Sequence, residues 1–148
     1  MAKGIWVIIE QSKLEIRKVS LEIMSQARII ANETGEPLAA VILGKGIAEL
    51  ADKVAAYGAD KVYLVDDDKL ENYTTGAYTS VLNKLIRQEE PQAVFMGNTA
   101  VGKDLAPRLA QRLGVGLASD CTGVEVDKEN FLTFKRPIYG GKAFADVT

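Results

Sequence analysis

The sequence predicts an α/β fold: three layers, with a parallel sheet covered by helices on both faces, and a C-terminal β-hairpin extension. Three observations carry this reading. Short, nearly continuous apolar runs recur along most of the chain, as expected for strands buried on both faces. Each is followed by a segment with apolar residues at helical spacing, through brief turns marked by Gly and Pro. After Gly116 the texture changes to strand-like segments joined by a polar link, a hairpin signal rather than a helical crossover.

The elements follow in order. Gly4 to Ile9 form the first strand, and Val19, Ile23, Ala27, Ile30 and Ala31 recur at helical spacing until Gly35 and Pro37 close the helix. Leu38 to Leu43 is the second strand, ended by Gly44 and Gly46. Ile47, Leu50, Ala51, Val54 and Ala55 fit the second helix, with Gly58 expected just past its end. Val62 to Val65 is the third strand, followed directly by Asp66, Asp67 and Asp68. Tyr78, Val81, Leu82, Leu85 and Ile86 mark the third helix, stopped before Pro91. Ala93 to Met96 is the fourth strand. A loop from Gly97 to Lys103 then leads to a fourth helix from about Asp104 to Leu113, with Pro107 in its first turn and Gly114 at its end. Thr122 to Val126 and Phe131 to Phe134 pair as the hairpin, and Ala143 to Val147 reads as a further strand. Such alternation with short loops implies right-handed βαβ units. The 148 residues suit one domain, and the chain ends inside strand texture, which points to a longer parent protein.

Composition narrows the chemistry. The net charge of −2, with no cluster of Lys and Arg, leaves no electrostatic footprint for nucleic acid or anionic lipid. The opening apolar run stops at Glu10, too short for a signal peptide or a membrane span, so the cytoplasm is expected. One cysteine, Cys121, excludes an internal disulfide, and the absence of histidine removes His-based triads, Cys-His pairs and His-bearing zinc sites. With no histidine to activate it, Cys121 reads as a small hydrophobe.

Several motifs compete as sites. Gly97-Asn98-Thr99-Ala100-Val101-Gly102-Lys103 has the spacing of a phosphate-binding loop between strand and helix, and makes Gly97, Asn98, Thr99, Gly102 and Lys103 candidate nucleotide contacts. The next residue, Asp104, stands where such a loop needs Ser or Thr for magnesium, and reads better as the helix N-cap. Gly44-Lys45-Gly46 and Gly114-Val115-Gly116 are too short for a dinucleotide fingerprint. Asp66, Asp67 and Asp68 read as a solvated acidic turn, since three adjacent residues rarely converge on one ion. No metal site is expected. Arg136, Tyr139, Gly140 and Gly141 combine interface-favoured side chains with a turn that permits close backbone approach, as a turn between strands or a partner surface.

Four stretches, Ile5-Trp6-Val7-Ile8-Ile9-Glu10, Ala56-Tyr57-Gly58-Ala59-Asp60-Lys61-Val62-Tyr63, Gly102-Lys103-Asp104-Leu105-Ala106-Pro107-Arg108-Leu109-Ala110 and Arg136-Pro137-Ile138-Tyr139-Gly140-Gly141-Lys142-Ala143, occur in order along the chain. Together they resemble the N-terminal domain of electron-transfer flavoprotein alpha subunits. The resemblance implies a Rossmann-like fold of the adenine nucleotide alpha hydrolase-like kind. It implies an alpha–beta heterodimer that takes electrons from dehydrogenases, acyl-CoA dehydrogenases among them, and passes them to an acceptor on FAD. That FAD is held mainly by a C-terminal domain absent from this chain, so the domain docks the beta subunit and catalyses nothing alone. In the beta subunit, AMP or a second FAD lies near the loop corresponding to Gly97–Lys103, which makes this loop a possible vestige of a nucleotide site. A stand-alone AMP- or ATP-binding module is the competing reading.

Overall fold

In chain order the elements are β1 (Ile5–Ile9), β2 (Gln11–Ser12), β3 (Glu15–Ile16), α1 (Lys18–Thr34), β4 (Leu38–Gly44), α2 (Leu50–Ala55), β5 (Lys61–Asp66), α3 (Thr75–Glu89), β6 (Ala93–Gly97) and α4 (Ala100–Leu113). They are followed by β7 (Leu117–Cys121), β8 (Gly123–Val126), β9 (Leu132–Lys135) and β10 (Lys142–Asp146). This computed structural model describes residues 4–97 and 99–114, and the backbone alone of 117–121, 123–126, 132–135 and 142–146.

β1 is buried at every position because both faces of the sheet are covered. Successive side chains of a strand point to opposite faces. Ile5, Val7 and Ile9 therefore enter one core with Ile23, Met24, Ala27 and Ile30 of α1 and Leu50 and Val54 of α2. Trp6 and Ile8 enter a second core with Leu82 and Ile86 of α3 and Leu105, Ala106 and Leu109 of α4. This is the three-layer arrangement that the alternation predicts, Rossmann-like as the resemblance implies.

The sheet order is β5-β4-β1-β6-β10-β7. β5, β4, β1 and β6 run parallel. The chain steps outward from β1 through β4 to β5, then returns across β1 to β6. The reversal leaves a crevice between the carboxyl ends of β1 and β6, where open α/β sheets ordinarily seat a ligand. β10 then adds antiparallel to β6, with β7 antiparallel beyond it. β8 and β9 pair separately as the expected antiparallel extension.

The helix ends differ from the sequence reading in instructive places. α1 ends as expected on Gly35 (φ 72°), whose N–H donates to the Ala31 carbonyl. α2 begins only at Leu50, so Ile47 is buried from the loop before it, while Ala55 is exposed. Gly58 lies beyond the helix cap at Ala56, with φ +109° and the place of a Cβ only 3.2 Å from Arg28 Cδ. α4 starts four residues earlier than expected, at Ala100, so Pro107 sits mid-helix rather than in the first turn. There it lacks the N–H that would reach the Lys103 carbonyl.

Candidate functional site at the β1–β6 crevice

The crevice is built from residues at the strand ends. Glu10 follows β1; its N–H donates to Ser20 Oγ at 2.8 Å and its carbonyl accepts from the Arg17 N–H at 2.9 Å. These bonds fix the backbone from which its carboxylate reaches across to β6. Thr99 Oγ1 lies 2.8 and 2.9 Å from the two carboxylate oxygens, to which it donates, and it accepts the Gly102 N–H at 3.1 Å. Thr99 is thereby the N-cap of α4. A carboxylate beside a helix N-terminus is favoured by the helix dipole. Glu10 therefore holds the position that an anionic ligand of this helix would occupy.

Both glycines of the phosphate-loop spacing have packing reasons. A Cβ at Gly97 would lie 2.9 Å from Glu10 Oε2 and 3.0 Å from a Val19 methyl carbon. At Gly102 it would lie 1.9 Å from the Gly97 carbonyl oxygen, so α4 could not approach β6 with any side chain there. The Lys103 residue is exposed, and its backbone N–H donates to the Thr99 carbonyl at 2.8 Å. The structure brings together Gly97, Thr99 and Gly102. Asn98, Arg136, Tyr139, Gly140 and Gly141 lie outside the described residues, and of Cys121 only the backbone at the end of β7 is described.

Asp104 is not the N-cap of α4; Thr99 is, because the helix begins before Asp104. Asp104 instead accepts hydrogen bonds from Thr75 Oγ1 and, at 2.6 Å, from the Tyr73 hydroxyl. Those two hydroxyls, the Thr75 bond foremost, hold its carboxyl below its ordinary range. Tyr73 shifts upward, through burial first and the Asp104 bond second. The cluster ties the segment before α3 to α4. Tyr73 and Tyr78, edge to face at 4.9 Å, line a cavity of about 170 Å³ beside Glu10 with Ile8, Leu43 and Leu105. A cleft of about 450 Å³ adjoins it over Gln11, Ser12 and Lys45.

The three aspartates after β5 serve different turns. Asp66 accepts from the Gly46 and Ile47 N–H groups, Asp67 accepts from the Lys69 N–H, and Asp68 lies 3.8 Å from Lys45 Nζ. Among the described residues no group of three potential metal ligands converges, and no helix is long and apolar enough to cross a membrane.

The sequence reading missed Glu10, Tyr73 and Thr75. The residue type of Thr99 was a signal for the helix start, which the nearby Asp104 obscured. Nothing in the sequence pointed to Glu10, Tyr73 or Thr75 as its neighbours or as a cluster with Asp104.

The model of the electron transfer flavoprotein domain family matches residues 5–148. The chain belongs to that family. It is 46% identical over 144 residues to the electron transfer flavoprotein subunit alpha of Syntrophomonas wolfei, covering 97% of this chain and 44% of that protein. It is 42% identical over 147 residues to the corresponding subunit of Megasphaera elsdenii, covering 98% of this chain and 43% of that protein. It is also 38% identical over 132 residues to the acryloyl-CoA reductase electron transfer subunit beta of Anaerotignum propionicum, covering 89% and 36%. The chain thus spans under half the length of these three relatives. Of the four stretches that carry the resemblance, the first is β1 with Glu10, the second joins α2 to β5, and the third lies in α4.

Proposed function

We propose that this chain is the N-terminal, partner-docking domain of an electron-transfer flavoprotein alpha subunit. In this reading it has no catalytic site of its own, and a further C-terminal domain holds FAD. The intact alpha–beta complex carries electrons from dehydrogenases, such as acyl-CoA dehydrogenases, to an acceptor. The observation that carries the proposal is the closed crevice of a chain matched almost end to end by the family: Glu10 and Thr99 satisfy each other where a nucleotide phosphate would bind. The cavity that Glu10 itself lines, about 170 Å³, is smaller than the roughly 300–1,000 Å³ of small-molecule pockets. The short span relative to the alpha-subunit relatives supports a second domain elsewhere.

Arg136, Tyr139, Gly140 and Gly141 are the proposed beta-subunit contacts. Truncating an anchor at an interface centre costs about 2 kcal/mol or more, roughly thirtyfold in affinity. Tyr139→Ala in the full alpha subunit should therefore bind beta weakly while the isolated domain keeps its thermal midpoint. Normal beta binding with a large drop in midpoint would instead make the segment core structure.

The competing nucleotide-module reading draws on the cleft of about 450 Å³ that adjoins the crevice. Calorimetric titration with AMP and ATP separates the two. Docking predicts no tight binding by the purified chain, which should be colourless, and copurification with a coexpressed beta subunit. Tight AMP binding without capture of beta would favour the module.

A further inference from the structure

We propose that the groove between α3 and α4, lined by Thr75, Gly76, Thr79, Arg108 and Arg112, binds one phosphate-like oxyanion. Thr74, the N-cap of the 15-residue helix α3, makes no side-chain cap bond, and the first turn carries no acid. The first amides of a helix have no intrahelical acceptor, and its dipole favours an anion there. Gly76, in that turn, has nothing within 4 Å of where a Cβ would stand, so its backbone is open to approach.

The second observation is a buried donor without an acceptor. Thr79, one turn further along α3, is only 4% exposed, and its Oγ1 has no hydrogen-bond partner. Mid-helix threonines commonly bond the carbonyl four residues back; this one does not. Thr79 lines a cavity of about 240 Å³ with Thr75, Gly76, Arg108, Gln111 and Arg112. A buried hydroxyl is costly to leave unpaired, and a site combining one with guanidinium groups and a helix N-terminus supplies the donors that a tetrahedral oxyanion accepts.

Charge favours the same ligand. Asp104 is held by Tyr73 and Thr75, and meets Arg108 only through Nε at 3.8 Å, as an exposed pair. Arg112 Nη1 has a neutral neighbour, Ser80 Oγ, at 3.4 Å. Two guanidiniums thus face the groove against one carboxylate. The volume is below the roughly 300 Å³ at which small-molecule pockets begin, so one phosphate group is accommodated rather than a whole nucleotide.

The test is an amide-resolved NMR titration of the protein at fixed ionic strength, with inorganic phosphate and, separately, glycerol 2-phosphate. Chloride is the control. Saturable movement of the Gly76 amide signal is expected with phosphate and not with chloride. A response to both phosphates would mark the group of a larger phosphomonoester, and a response to inorganic phosphate alone would mark the free ion. Arg112→Gln should weaken binding about tenfold, the effect of one charge-assisted bond. Thr79→Val, which keeps the volume and removes the unpaired hydroxyl, should weaken it similarly while leaving the thermal midpoint without phosphate equal or higher. No phosphate-specific movement of Gly76, or equal affinity in the parent protein and both variants, would overturn the proposal.

Discussion

Gly102 and Lys103 are neighbours with opposite expected sensitivities. A methyl at Gly102 would collide with the Gly97 carbonyl, a backbone atom that cannot rotate aside. Gly102→Ala should cost about 3 kcal/mol, the upper end for overpacking, as read from urea denaturation. Lys103→Ala removes an exposed side chain and should stay within about 0.5 kcal/mol. A phosphate-binding loop would give a different pattern, with the lysine change abolishing ligand binding. Asp60 makes a pH-dependent contribution. It accepts from the Leu38 N–H at 2.9 Å and from Arg28 at 3.0 Å, and these, the backbone bond first, hold its carboxyl below its ordinary value of 3.8. Because the folded value is depressed, the stability contributed is complete above 3.8 and is lost as pH falls through the lower folded value. The stability difference between the parent protein and Asp60→Asn should therefore be constant near neutrality and shrink in acid. The carboxylate's side chain is half exposed, so solvent screens the effect.

The elements of the parallel sheet follow directly from pattern, whereas the connections at its carboxyl edge do not. β2 and β3 form a two-residue hairpin whose tip, Lys13 and Leu14, has φ of 50° and 66°. Such turns normally announce themselves with Asn-Gly or Asp-Gly. Lys and Leu give no such signal, so the hairpin was not legible. α4 shows the reverse problem. Its amphipathic pattern was clear, but Asp104 and Pro107 both looked like start signals, and Thr99 lies before them. Pro107 mid-helix removes one backbone hydrogen bond, a loss of order 3 kcal/mol in an isolated helix that neighbouring structure partly absorbs. Pro107→Ala should therefore raise stability by about 1 kcal/mol in urea denaturation and increase hydrogen-exchange protection in α4.

The molecule joins two cores across one sheet. Its strand order creates a ligand crevice that its own Glu10 and Thr99 fill. If that closure excludes anions, Glu10→Gln should make phosphate easier to accommodate there, because it removes the repelling charge while preserving the reach to Thr99. The expected outcome is a phosphate-dependent gain in midpoint for Glu10→Gln larger than for the parent protein at equal ionic strength. Measuring both in the Thr79→Val background keeps the crevice distinct from the α3–α4 groove.

By itself, the sequence determined that this is an α/β chain with a parallel sheet, which helices cover it, and which family its ordered stretches resemble. Apolar periodicity and family stretches are local along the chain, and burial on both faces of β1 is written in the unbroken run Ile5–Ile9. The tertiary structure alone decided that Gly97 and Gly102 are spaced for packing. It also decided that Glu10 reaches a threonine 89 residues away, and that β10 joins the main sheet beside β6. Those facts depend on distances between residues far apart in sequence, and a one-dimensional spacing such as G-x-x-x-x-G-K is the same whether its glycines admit a phosphate or a neighbouring carbonyl.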